Sequence, residues 1–228
     1  MKIHPVQNMS NFVVRMDYEK FVDSFSKVKD FPLPGKKAQL LAAPLQRLKE
    51  MPPESEYTKM RKKAAVLLYC FPKGGLMHLS LIKRSSYDGV HSNQISFPGG
   101  KPEPGDQSLS VTAIRECKEE LGTSLAAGKK LIPLTPIYIP PSNFLVSPFV
   151  GYEDHYPHFN LDSREVASHI ELPLFKLLDL QIEQNLLRQG PHKGTAVPCY
   201  TYNNHMIWGA TAMILTEFKV YLTSLSSN

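Results

Sequence analysis

The chain has 228 residues and a formal net charge of +5, with 42% hydrophobic and 21% charged residues. These values are ordinary for a globular domain in water, and the length is sufficient for one sizeable core with appendages. No apolar run approaches the roughly 20 residues of a membrane-spanning helix and no basic arm is evident, so we expect neither a membrane nor a nucleic-acid partner.

The first part of the chain, residues 1–60, is predicted to form an N-terminal helical extension. Its start, MKIHPVQNMSNF, lacks the apolar stretch of a signal peptide, which favours a cytoplasmic protein. The spacing of apolar residues predicts a helix over 17–29, and a second short helix is expected within 38–50. We expect these helices to cover the core or a partner subunit.

A run of basic residues precedes the first predicted strand and consists of Lys59, Arg61, Lys62 and Lys63. Most runs of this kind are solvated flanks, and phosphate binding is the alternative. The mild positive charge of the whole chain suits an anionic substrate.

Residues 61–228 are predicted to form one domain that combines strands and helices. The segments AAVLLYCF and MHLSLIKR, joined by a Pro-Lys-Gly-Gly turn, predict a hairpin. LIPLTPIYIP and LVSPFVGY predict further strands, and short helices are expected at 165–169 and 174–178. A second hairpin, IEQNLLR with AVPCYTYN, precedes a final amphipathic helix over 206–225. Periodicity alone favours an α+β or α/β fold.

A helix predicted over 107–121 places three carboxylates near one another. Its apolar stripe consists of Ala113, Ile114, Cys117 and Leu121. Glu116, Glu119 and Glu120 lie on roughly the other side, within about one turn of each other. Anions near a helix C-terminus are destabilising, whereas a hard divalent cation prefers such carboxylate oxygens. The alternative interpretation is a solvated acidic face.

The loop before this helix contains the turn Pro98-Gly99-Gly100, where main chain can approach a ligand because glycine has no Cβ. Joined at fixed spacing to Arg115-Glu116 and to EELG at 119–122, this turn resembles the Nudix box, G-x5-E-x7-R-E-U-x-E-E-x-G-U with U aliphatic. The segment between Gly100 and Arg115 is one residue longer than the pattern, Asp106 stands for the expected Glu, and Thr123 for the final aliphatic residue. We expect Asp106 to cap the helix.

The resemblance implies a Nudix-type α/β/α sandwich with a mixed sheet. It also implies metal-dependent hydrolysis of a diphosphate bond in a nucleoside diphosphate derivative, with Mg²⁺ or Mn²⁺ as cofactor. The metal ligands implied by the box are Glu116, Glu119, Glu120 and the Gly100 carbonyl. By the same analogy, the N-terminal extension is a candidate homodimer interface.

The resemblance also assigns roles around the metal. Arg115 is expected to hold the loop to the helix through Glu103 or Asp106, without touching substrate. Nudix enzymes use either a box glutamate or a carboxylate from a later loop as general base, so Glu116, Glu120 and Glu165 all stay open.

The segment LIKRSSYDGVHSNQISFPGG, residues 81–100, is similar to the signature of coenzyme A diphosphatases within the family, roughly LLTxRSxxxRxxxGxxxFPGG. Gly89 replaces the second arginine of that signature and Asn93 replaces its first glycine. The similarity implies coenzyme A or an acyl-CoA as substrate, with phosphopantetheine and adenosine 3′,5′-bisphosphate as products. Rival functions are hydrolysis of ADP-ribose, dinucleotides or nucleoside triphosphates, and non-catalytic nucleotide binding.

Three basic residues are candidates for substrate binding. The guanidinium fork of Arg84 can bind phosphate bidentately, whereas Lys83 and Lys101 offer point charges. The alternative for Arg84 is a surface position after a strand. His91, in the same loop as Arg84, is more typical of a polar loop residue than of a catalyst.

Overall fold

The computed structural model describes residues 16–27, 32–45, 47, 62–85, 93–123, 125–126, 128–187 and 193–226. The predictions for Lys59, Arg61, Gly89 and His91, and for residues 1–15, lie outside this part of the chain.

Two short helices precede the sheet. Helix α1, Tyr18–Ser26, begins where the Asp17 carboxylate accepts a hydrogen bond from the Lys20 backbone N–H. Helix α2, Gly35–Leu40, begins three residues before the predicted range 38–50 and ends within it. Residues 45 and 47 of that range are again helical, and residues 46 and 48–50 lie outside the described part of the chain.

The described residues contain eleven strands: β1 Lys62–Lys73, β2 Leu76–Arg84, β3 Ile95–Ser96, β4 Gly99–Gly100, β5 Ile132–Pro133, β6 Ile137–Ile139, β7 Phe144–Tyr152, β8 Val166–Pro173, β9 Glu183–Leu186, β10 Ala196–Tyr202 and β11 His205–Trp208. Strands β1 to β8 form one sheet, and β9 to β11 form a second. A short 3₁₀ helix, Pro140–Ser142, connects β6 to β7.

The larger sheet is mixed, as predicted. Strand β1 pairs in parallel with β7, from Lys62 opposite Phe144 to Cys70 opposite Tyr152. It pairs in antiparallel fashion with β2 and with the short β4. Because β1 is central, it positions the glycine turn of β4 directly beside the rest of the sheet.

Helices cover both faces of this sheet. Helix α3, Leu109–Leu121, buries its apolar stripe against one face, where Ala113, Cys117 and Leu121 pack with Leu67 and Tyr69 of β1. Helices α1 and α5, the latter spanning Gly209–Ser226, contribute to the core on the opposite face. The predicted α/β/α arrangement is therefore confirmed.

In the C-terminal half of the chain, one helix prediction is wrong and the final helix begins three residues later than predicted. Residues 166–169, predicted as helix, belong to strand β8, which pairs along β2 with Leu81 opposite Ile170. The chain becomes helical only at α4, Leu174–Asp179. Likewise, residues 206–208 belong to β11, and α5 begins at Gly209. In both cases a sheet partner distant in sequence determines the conformation.

The N-terminal helices pack tightly on the sheet domain. Phe21 is fully buried, and its ring meets Tyr152 of β7 at a centroid distance of 5.5 Å. The Gln39 side chain donates to the buried Glu217 carboxylate of α5 at 2.8 Å. The division into a 1–60 extension and a 61–228 domain stays a prediction. No helix within the described ranges combines the length and apolarity that crossing a bilayer requires.

Replacing Phe21 with alanine should lower the free energy of unfolding by about 3–5 kcal/mol, since it leaves a cavity between α1 and the sheet. Urea unfolding monitored by circular dichroism measures this loss. Lys20→Ala, on the exposed side of the same helix, should change stability by less than about 0.5 kcal/mol. Equal stability of the two variants would show that the extension does not pack on the core.

Candidate active site

Helix α3 begins two residues later than predicted, and Asp106 is not its cap. Ser108 has extended backbone, and its hydroxyl accepts a hydrogen bond from the Val111 N–H. The cap prediction for Asp106 is therefore wrong. Its carboxylate accepts instead from Thr112 Oγ1 at 2.9 Å and from the Glu103 N–H at 2.9 Å. The helix ends at Gly122, whose left-handed backbone glycine adopts without steric cost.

Arg115 ties the loop of residues 101–107 to α3. Its guanidinium donates to the Asp106 carboxylate at 2.9 Å and to the Lys101 carbonyl at 2.8 Å. The Arg115 hydrogen bonds hold the pKa of Asp106 well below its usual range. Glu103 lies at the edge of this network, with its Oε1 3.9 Å from Arg115 Nη1.

The same guanidinium also contacts two box glutamates. Arg115 Nη1 lies 2.8 Å from Glu119 Oε2 and 3.2 Å from Glu116 Oε1. Glu119 is largely exposed, whereas Glu116 is mostly buried, and burial raises the pKa of Glu116.

Glu120 is the most buried of the three box glutamates, with 1% of its side chain exposed. Its Oε2 accepts from the Gly99 N–H at 2.8 Å, and its Oε1 accepts from Arg84 at 3.1 Å. Burial raises the pKa of Glu120 to about 7, against the opposing effect of Arg84. This carboxylate therefore links β2, β4 and α3.

Gly100 lies directly against the Glu116 carboxylate. A Cβ on Gly100 would come within 2.5 Å of Glu116 Oε1 and 2.7 Å of Oε2. Only glycine fits without displacing this side chain. The extra residue of the loop is thus accommodated without separating Gly100 from the helix.

The other predicted site residues lie on neighbouring segments and make fewer contacts with the box glutamates. Arg84 Nη2 lies 4.0 Å from Glu165 Oε2, and Glu165 is more than half exposed. Lys83 is half-buried in β2, paired with Ile95 of β3. Lys101 is exposed directly after β4. The structure therefore gathers Arg84 and Glu165 around Glu120, whereas neither Lys83 nor Lys101 forms a hydrogen bond or an ion pair with that carboxylate.

Segment 153–165 contributes to the site in a way that the sequence did not indicate. The N–H groups of Asn160 and Asp162 donate to the carbonyls of Leu121 and Glu120, at 2.9 and 3.1 Å. These hydrogen bonds give partners to backbone carbonyls in the last turn of α3, which would otherwise have none, and they hold Glu120 in place. Gly122 allows this contact, since a Cβ there would meet the Asn160 carbonyl at 2.4 Å. An EExG ending alone does not indicate which segment of the chain will pack against it.

A second set of potential metal ligands lies at the end of β7. Within the described residues, Glu153, Asp154 and His155 have ligand atoms within 4.8 Å of one another. Lys129 Nζ lies 3.1 Å from Asp154 and 3.5 Å from Glu153, so a lysine already pairs with both carboxylates. The carboxylate oxygens of Glu116, Glu119 and Glu120 do not all lie within 4.8 Å of one another.

Comparisons with known proteins agree with this geometry. Residues 60–187 match the model of the NUDIX domain. The chain is 33% identical over 187 residues to the mitochondrial coenzyme A diphosphatase NUDT8 of Homo sapiens, covering 81% of this chain and 75% of that protein. It is 33% identical over 168 residues to the Nudix hydrolase NudL of Photorhabdus laumondii, covering 73% and 88%. A MutT/nudix family structure from Enterococcus faecalis aligns with a TM-score of 0.50 at 13% identity, covering 82% and 73%.

Proposed function

Because the chain belongs to the Nudix hydrolase family, whose members act on pyrophosphate bonds, we propose that its substrate is coenzyme A or an acyl-CoA. Cleavage of the diphosphate would give phosphopantetheine and adenosine 3′,5′-bisphosphate. The observation that carries this proposal is the 33% identity to a human coenzyme A diphosphatase, which extends over 81% of the chain. The similarity of residues 81–100 to the signature of that subgroup supports it.

Nudix hydrolases generally use divalent metals, and the residues here fit Mg²⁺ or Mn²⁺. Glu116, Glu119, Glu120 and the Gly100 carbonyl form a set of hard oxygen donors. Gly100 brings main chain against Glu116 with no intervening Cβ. Burial raises the pKa of Glu120, and the neighbouring anions Glu116 and Glu165 raise it further. A bound cation would relieve this excess of negative charge. When bound, the ion neutralises the diphosphate and lowers the pKa of an attacking water.

The chain's own residues supply positioning and proton transfer. Arg115 keeps Glu116, Glu119 and the Lys101 carbonyl in one place and is structural. Arg84 lies against Glu120, where its free donors can turn to a substrate phosphate. Lys83 in β2 and Lys101 directly after β4 add positive charge.

The general base is one of three carboxylates, Glu116, Glu120 and Glu165. Glu120 can exchange a proton near neutral pH, since its pKa is raised to about 7. Glu165 is more than half exposed, at 55% of its side chain, and therefore more accessible to water than either box residue.

Incubation with coenzyme A and with ADP-ribose at equal concentrations tests this function. With Mg²⁺ or Mn²⁺, we expect faster cleavage of coenzyme A, and mass spectrometry should identify phosphopantetheine and adenosine 3′,5′-bisphosphate. Faster cleavage of ADP-ribose would assign another Nudix specificity. No cleavage of either substrate, nor of dinucleotides and nucleoside triphosphates, would indicate a non-catalytic nucleotide-binding protein.

A further inference from the structure

Two lysines from different segments share one aromatic ring beside the glycine turn. Lys62 Nζ lies 5.9 Å from the centre of the Phe144 ring, and Lys101 Nζ lies 5.6 Å from it. Both distances fall within the range of cation–π attraction, which holds an ammonium group over an aromatic face. Lys62 begins β1, Phe144 begins β7 directly opposite it, and Lys101 follows β4.

Two other lysines that lie over aromatic rings are paired with carboxylates, whereas Lys62 and Lys101 are not, in the residues that the structure describes. Lys73 also lies over a tyrosine, but it pairs with Glu171 at 2.6 Å, and Lys129 pairs with Asp154 at 3.1 Å. Among the described residues, no carboxylate lies within ion-pair distance of Lys62 or Lys101. Within the described part of the chain, their exposed ammonium groups therefore have no compensating carboxylate.

The place of this pair in the fold connects it to the box. Lys101 is the residue after Gly100, whose backbone touches the Glu116 carboxylate, and its own carbonyl accepts from Arg115. Two uncompensated ammonium groups near a diphosphate site favour a second anionic group on the same ligand. In coenzyme A that group is the 3′-phosphate, which is carried by the same ribose as the diphosphate.

We propose that Lys62 and Lys101, held over Phe144, bind the 3′-phosphate of the substrate and so distinguish coenzyme A from its 3′-dephospho form. The proposal rests on the function proposed above. Both lysines approach the phosphate as point charges, and the ring restricts their positions without neutralising them.

The test compares kcat/KM for coenzyme A with kcat/KM for dephospho-coenzyme A. The unmodified enzyme should prefer coenzyme A, and in the double variant Lys62→Ala/Lys101→Ala the ratio should fall about tenfold, a loss typical of two exposed charge contacts. The double variant Lys62→Arg/Lys101→Arg keeps both charges and should keep most of the preference. Lys176→Ala removes a comparable exposed lysine over Phe175 in α4 and should leave the ratio unchanged.

A binding measurement separates failure of this subsite from failure of the proposed function. Calorimetry should show tighter binding of adenosine 3′,5′-bisphosphate than of AMP, with the difference lost in the double alanine variant. One outcome is that coenzyme A is not hydrolysed, while the unmodified chain still binds adenosine 3′,5′-bisphosphate more tightly than AMP and the double alanine variant does not. In that case the proposed function is wrong and the proposed subsite is correct. If coenzyme A is hydrolysed and the alanine variant keeps the full ratio and the full binding difference, the subsite is wrong.

Discussion

Glu120→Gln should reduce metal-dependent hydrolysis of coenzyme A by at least about 10²–10³-fold, because a coordinated metal contributes several kcal/mol to the reaction. The substitution removes one anionic donor and keeps the size of the side chain. Steady-state kinetics over a series of Mg²⁺ and Mn²⁺ concentrations measures the effect. The loss should persist at saturating metal.

The fold should survive this change. Burial raises the pKa of Glu120 to about 7, above the unfolded value, so the carboxyl stabilises the protein fully below the unfolded pKa. That contribution is lost as the pH rises through 7, where the buried charge forms. A neutral amide avoids that charge, and its oxygen can still accept from the Gly99 N–H. We therefore expect the melting temperature of the metal-free variant at pH 8 to equal or exceed that of the unmodified chain.

Metal binding provides the second measurement, and Glu217→Gln is the matched control. Glu217 is equally buried but lies in α5, where it accepts from Gln39 and Thr135. Mg²⁺ or Mn²⁺ should raise the melting temperatures of the unmodified chain and of the control. The increase should be much smaller for Glu120→Gln. Near-normal turnover by Glu120→Gln would remove the basis of the proposed mechanism.

The sequence predicted the helix and its three glutamates because both depend on local periodicity. It also indicated Gly100, since a close approach of main chain requires glycine. It did not reveal that Arg84 would contact Glu120, because that contact joins residues 36 positions apart. The sequence left open whether Asp106 caps the helix or pairs with Arg115, since a capping side chain and a scaffold side chain look alike in sequence. Ser108, two residues later, was the better cap.

The hairpin of β1 and β2 and the helices α1, α3 and α5 followed from apolar spacing. The assignment failed for β8, whose residues 166–169 have a pattern compatible with either a helix or a strand. Only the pairing with β2, where His169 lies opposite Ile82, makes it a strand. The failure mattered for the site. It placed Glu165 at a helix start, whereas the structure places it before a strand, beside Arg84.

The glycine turn offers a way to separate activity from stability. Three glycines in and near it differ in what an added methyl group would meet. At Gly100 a Cβ meets only the end of the Glu116 side chain, which is flexible. At Gly99, with φ of +153°, it meets the Ala65 carbonyl at 2.3 Å, which is fixed backbone of β1. At Gly105 no heavy atom lies within 4 Å.

Gly100→Ala should therefore lower kcat/KM by about 10²-fold, since it displaces the Glu116 carboxylate from the position where it faces the turn. Its free energy of unfolding should change by less than about 1 kcal/mol, because Glu116 can rotate toward solvent. Gly99→Ala should instead destabilise the fold by about 3 kcal/mol or more, since backbone cannot move aside. Gly105→Ala, the control in the same loop, should leave activity and stability near those of the unmodified chain. Parallel kinetics and urea unfolding distinguish the three, and full activity of Gly100→Ala would show that the reaction does not need Glu116 where the structure places it.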